Sequence, residues 1–164
     1  MQLKILNFEE FVATELKPTT AHFLTATEYP IPHFNIFVRP VNFHRQYWVP
    51  EGVDNVIGLW DENADPFCRW IRNGTIEFVQ IYHDETGFQV VANTEQGLLA
   101  CLFEKYYEFL DWRAEDKAYQ AAREFGTYIG FAATEGLLHL LDEYACHNDG
   151  NLYNQRRSDL IRLL

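Results

Sequence analysis

The sequence predicts an α+β domain in which a central antiparallel β-sheet, wound as a meander, packs with helices. Three observations lead there. Four strand-length segments follow one another between residues 55 and 92, Asn73-Gly74 separates the second from the third, and from residue 93 onward the apolar residues recur at helical spacing. At 164 residues, 48% apolar and 16% aromatic, the chain has enough core-forming side chains for one domain over residues 1–164 without disulfide staples. A chain of this size buries about 70% of the surface it exposes when unfolded.

Asn7 and Glu10 have the spacing of a helix capping box, and Phe8, Phe11, Val12 and Leu16 then repeat at helical intervals up to Pro18, predicting a short opening helix. From Ala21 to Gly52, Pro30, Pro32, Pro40 and Pro50 punctuate β-friendly stretches at residues 34–38 and 47–49, which read as edge strands and loops. The clear strands are residues 55–60, 67–72, 75–82 and 87–92. Asn73-Gly74 is a strong hairpin cue because both residues tolerate positive φ. In the third strand Ile76, Phe78, Gln80 and Tyr82 share one face, and Glu77, Val79 and Ile81 the other, so both faces are expected to be covered. Residues 61–65 read as a solvated loop with Asp65-Pro66 marking its turn, and residues 83–87 as an exposed polar turn.

Asn93 and Gln96 repeat the capping-box spacing, and Leu98, Leu99, Leu102, Phe103, Tyr106, Phe109 and Leu110 form a wide apolar stripe. Together they predict a helix to about Trp112, laid against the sheet. An Ala-rich helix over residues 114–125 follows. Another spans residues 134–144, with Leu137, Leu138, Leu141 and Tyr144 facing inward, and the tail from Leu152 to Leu164 adds a last amphipathic helix.

Several chemistries lack their residues. Ser158 is the one serine, and no Gly-x-Ser-x-Gly elbow presents it. The nine glycines form neither dinucleotide nor P-loop patterns, so no cofactor is expected. The six histidines show no H-x-x-x-H or H-E-x-x-H spacing, and Asp61-Glu62-Asn63-Ala64-Asp65 lacks the glycine and distant glutamate of a calcium loop, so no metal site is expected. Cys68 and Cys101 read as core residues. Cys146 stands beside His147 in acidic surroundings that disfavour a thiolate. Three cysteines without a C-x-x-C pair suit a reducing cytosol. Glu9 and Glu10 interrupt the apolar region a signal peptide would need, and no apolar run approaches the ~20 residues of a membrane span, so a soluble cytoplasmic protein is expected.

Charge is the strongest functional cue. The chain has 13 Lys plus Arg against 24 Asp plus Glu, a net charge of -11, which repels nucleic acid and anionic lipid. Residues 1–50 hold four acids and four bases, residues 51–149 nineteen and six, and residues 150–164 one and three. The negative field therefore belongs to the meander and the helices after it. Glu51, Asp54, Asp61, Glu62, Asp65, Asp84 and Glu85 border the strands, where loop side chains converge readily. A concentrated acidic surface would steer a basic protein partner.

The order of elements resembles the SUKH superfamily. A strand with Val56-Ile57-Gly58-Leu59-Trp60-Asp61 leads to a strand at residues 75–82, and then to Phe88-Gln89-Val90-Val91-Ala92-Asn93-Thr94 running into a helix with Leu98, Leu99 and Leu102. The resemblance covers residues 55–112, about a third of the chain. Leu16-Lys17-Pro18 is only a distant stand-in for that family's Leu-Pro motif, and residues 19–52 look extended where the family has a helix. The superfamily includes a yeast cell-wall synthesis regulator and many bacterial immunity proteins. The resemblance implies a non-enzymatic domain that binds a protein, commonly a toxin held inactive in the producing cell. Many such toxins attack nucleic acid through basic surfaces, so an acidic chain would mimic phosphate. The expected contacts are Asp61, Glu62, Asp65, Asp84 and Glu85, with Trp60 as an aromatic anchor, and the expected assembly is a monomer or homodimer. A small acid–base hydrolase and a self-associating subunit with apolar helices are the alternatives.

Overall fold

The computed structural model describes residues 16–18, 48–62, 64–84, 86–110 and 112–164, without the side chains of Asp61 and Glu62. The expected opening helix and the extended stretch at residues 34–38 lie outside the described residues. Among the described residues the fold is α+β: four antiparallel strands, β1 (Val53–Glu62), β2 (Asp65–Arg72), β3 (Thr75–Ile81) and β4 (Phe88–Ala92), are followed by the helices α1 (Glu95–Glu108), α2 (Glu115–Ile129), α3 (Thr134–His147) and α4 (Gly150–Arg162). Two compact units divide the chain at residues 98 and 99, within α1.

In the first unit the strands lie in chain order as a meander. Asn73 (φ 52) and Gly74 (φ 80) join β2 to β3 with both turn residues at positive φ, as the Asn-Gly pair predicts, placing Arg72 opposite Thr75 and Trp70 opposite Glu77. The first hairpin is tighter than expected. Asp61 and Glu62 continue β1, Asp65 and Pro66 already belong to β2, and Ala64 stands in the short turn at φ 74. Pro66 is tolerated because a proline near a strand's start loses little pairing.

Register shifts between Asp54 and Ile57 and between Gly58 and Trp60 each insert one extra residue into β1. These bulges break its alternation, so neighbours Val56 and Ile57 are both buried, as are Leu59 and Trp60. One cluster joins Val53, Val56, Cys68, Trp70, Val79 and Ile81, with Val49 and Phe88 packed against it.

Thr94 caps α1. Its carbonyl accepts from Leu98 N at 3.0 Å and its hydroxyl from Gly97 N at 3.1 Å. The cap thus falls one residue beyond the expected Asn93, whose side-chain amide donates to the Ile76 carbonyl at 3.4 Å.

In the second unit Phe125 of α2 stacks on Tyr106 at 4.2 Å and on Phe103 at 6.4 Å between ring centroids, and Phe131 meets Phe103 at 5.7 Å. Ala118 and Ala122 are buried on the same helix. A turn of 3-10 helix at Trp112–Ala114 introduces α2, and Gly130 (φ 74) ends it, the Phe131 N–H donating to Gly126 O at 2.9 Å. Asn148 (φ 51) ends α3, and Asp149 caps α4 by accepting from Asn151 N and Leu152 N at 3.1 Å. Leu137 and Leu138 of α3 are buried as expected. The third buried leucine is Leu140; Leu141 is half-buried and Tyr144 is 39% exposed. Cys68 is buried, Cys101 half-buried and Cys146 exposed. No helix among the described residues is long and apolar enough to cross a membrane.

Gly126 marks the closest approach between α2 and the start of α3. A Cβ there would lie 2.2 Å from Thr134 Oγ1 and 3.0 Å from Thr134 Cβ, and a short branched side chain has little freedom to withdraw. Overpacking of this kind costs about 1–3 kcal/mol, against about 1 kcal/mol of helix propensity gained by alanine. Gly126→Ala is therefore expected to lower the thermal midpoint, whereas Gly136→Ala, which meets only the flexible Leu160 tip at 3.0 Å, is expected to lower it less. Paired thermal melts check the order.

Candidate functional site

Adjacent antiparallel strands place alternate turns at opposite ends of a sheet. The β1–β2 turn and the β3–β4 loop therefore share one end, and the Asn73-Gly74 turn lies at the other. Asp61 and Glu62 end β1, and Asp65 begins β2, Glu62 and Asp65 being paired in register. Asp84 is exposed in the β3–β4 loop, and Glu85 lies outside the described residues.

The two loops are tied together. Asp65 Oδ1 accepts from the His83 backbone N–H at 2.8 Å and lies 2.6 Å from His83 Nδ1. The loop beyond is closed by Tyr82 N donating to Gly87 O at 3.2 Å. His83 was a residue whose role the sequence did not signal; only the meander brings it beside Asp65.

Not every expected acid joins this rim. Glu51 and Asp54 stand where β1 begins, near the Asn73 turn, where Asn73 N donates to Gly52 O at 3.2 Å. The strand-bordering carboxylates are thus divided between the two ends of the sheet. Trp60, expected as an anchor, is 1% exposed and stacks on Phe67 at 4.6 Å between centroids, so its ring has no surface to present. It points inward because the second bulge turns two consecutive β1 side chains to the interior.

A second polar centre in this unit is formed around Glu77, 8% exposed. Its carboxylate accepts from Trp70 Nε1 at 2.8 Å, Arg72 Nε at 2.8 Å and Arg72 Nη2 at 2.7 Å. Hydrogen bonding from Arg72 holds the Glu77 carboxyl below the usual range, with Trp70 assisting and burial opposing. Arg72 also lies 5.1 Å from the Phe88 ring centroid, and Phe88 stacks with the exposed Trp48 at 6.1 Å. With both oxygens engaged, Glu77 serves as an internal tie. The hairpin register carried the signal that could have found it, since an Asn-Gly two-residue turn sets Trp70 opposite Glu77.

In the second unit Glu104 accepts from Tyr153 Oη and from Arg157 Nε and Nη2, the last at 2.8 Å. Asp142 accepts from Tyr107 Oη at 2.8 Å. The Tyr119 hydroxyl is pushed up to about 12, chiefly by hydrogen bonding to Asp142 and then by burial. Among the described residues no group of three or more His, Cys, Asp and Glu is placed to hold a metal ion.

Of the rim side chains the structure describes, Asp84 is exposed and Asp65 is bonded to His83. No family model matches the chain, and neither a curated protein nor a solved structure matches it significantly.

Proposed function

We propose that this chain is a protein-binding domain of the immunity or inhibitor type, neutralising a basic toxin, for example a nuclease, inside the producing cell. The observation that carries the reading is the meander itself: it brings the adjoining ends of β1 and β2, with Asp61, Glu62 and Asp65, and the β3–β4 loop, with Asp84, to one end of the sheet. A net charge of -11 adds a long-range field of the sign that attracts cationic surfaces. The resemblance of residues 55–112 to the SUKH superfamily supports the same role. Glu85 belongs to the proposed contact set by its place in the sequence, whereas Trp60 does not contribute. Asp65 is both contact and fastener, because its clasp with His83 holds the two loops together.

The test uses Asp61→Lys/Glu62→Lys/Asp84→Lys, which leaves Asp65 in place. Binding of the basic partner to the immobilised chain is expected to weaken at least about tenfold, with an unchanged thermal midpoint. Unaltered affinity would remove the rim from the interface.

A further inference from the structure

Helix α4 carries Leu152, Tyr153, Leu160 and Ile161, yet none of its residues is buried. An amphipathic helix gains its stability by burying its apolar stripe, so this one lacks part of its cover. The uncovered part is localised. A groove of about 110 Å³ runs between α3 and α4, lined by Leu140 and Tyr144 from one helix and Leu152 and Tyr153 from the other. Leu152 is 49% exposed and Tyr144 39%, and Tyr144 and Tyr153 pack with centroids 5.1 Å apart.

The two helices differ in charge: residues 134–149 hold four acids and no Lys or Arg, whereas residues 150–164 hold three arginines and one acid, and of these Glu143, Asp149 and Arg156 line the groove. Glu143 and Arg156 both line the groove and pair with each other, their side chains 36% and 44% exposed. A two-fold axis through this groove sets the basic helix of one copy on the acidic helix of the other, and each Glu143–Arg156 contact then occurs twice. Most of the chain repels its own copy, since residues 51–149 hold nineteen acids against six bases. At this groove Arg156 supplies a positive charge beside Glu143, so the two can meet their opposites in a second copy.

We propose that the α3–α4 groove is the interface of a two-fold homodimer, closed by the same groove of a second copy. Exposed apolar side chains supply the contact, and the Glu143 and Arg156 pairs set its register. This face shares no residue with the acidic rim, so the proposal does not depend on the role assigned there.

Sedimentation equilibrium of the full chain at about 100 µM, within the range of weak dimers, is expected to give twice the monomer mass of 19.3 kDa. Leu152→Lys is expected to return it to monomer while the circular dichroism spectrum stays unchanged. Glu143→Arg alone and Arg156→Glu alone are each expected to be monomeric, and their equimolar mixture to form a heterodimer. In that mixture each altered charge meets its opposite only across the interface. A wild-type chain that stays at 19.3 kDa, or variants that dimerise as well as wild type, would overturn the proposal.

Discussion

Glu104→Ala is expected to lower the thermal midpoint by about 5–10 °C. Glu104, on α1, is the common acceptor for Tyr153 and Arg157 on α4, and the Glu104 and Arg157 side chains are only 19% and 18% exposed. Removing the carboxylate leaves a guanidinium and a phenol with no acceptor in a setting that resists charge; burial and the Glu104 charge already push the Tyr153 hydroxyl far above its ordinary value. Breaking a fully buried pair costs about 3–5 kcal/mol, and residual solvent contact brings this nearer to 2–3 kcal/mol. For a chain of this length each kcal/mol moves the midpoint about 2–4 °C. Calorimetry of Glu104→Ala, Arg157→Ala and the double variant checks the claim. The two losses should fall well short of additivity, because either single change already breaks the pair. Additive losses would show that the two side chains are not coupled.

Glu77→Gln is expected to cost about 2 kcal/mol and to remove an acid-sensitive part of the stability. The neutral amide retains one acceptor oxygen, but its NH2 group meets the Arg72 donors, and hydrogen bonds to a charged group contribute about 1.5–3 kcal/mol each. The pH dependence follows from the direction of the shift. The Glu77 carboxyl titrates lower in the folded chain than its ordinary value of 4.5, so its contribution is present above that value and is lost as pH falls through the folded one. Wild type should therefore lose stability below about pH 4.5 more steeply than Glu77→Gln. Urea melts between pH 3 and 7, read from tryptophan fluorescence, report this directly because Trp70 Nε1 donates to the same carboxylate. Parallel acid profiles for the two chains would refute the tie.

Much of this architecture can be read from local chemistry. The β2–β3 hairpin was legible because Asn-Gly is a turn with a conformational reason, and its register already implies the Trp70–Glu77 contact. The first hairpin was not, because alanine at positive φ, as Ala64 is, carries no signature. An extra residue in a strand leaves none either, so the inward turn of Trp60 emerged only with the bulges in β1. The acidity of the rim loops was visible residue by residue. The meander that the sequence predicts already sets the β1–β2 turn and the β3–β4 loop at one end of the sheet, and the same alternation sends Glu51 and Asp54 away from Asp61 and Asp84. On α3, period alone chose Leu141 and Tyr144 for the interior. The close seat of Leu160 against Gly136 and the groove around Tyr144 depend on how α4 returns.

Under the proposed function, the rim at the β1–β2 and β3–β4 end of the sheet captures a cationic protein. The most direct measurement is the association constant for that basic partner as a function of salt, made on wild type and on Asp61→Lys/Glu62→Lys/Asp84→Lys. Wild-type affinity should fall steeply between about 50 and 500 mM salt as the screening length shrinks, and the variant should bind weakly with a nearly flat profile. A wild-type affinity indifferent to salt, or a variant tracing the same slope, would contradict the account.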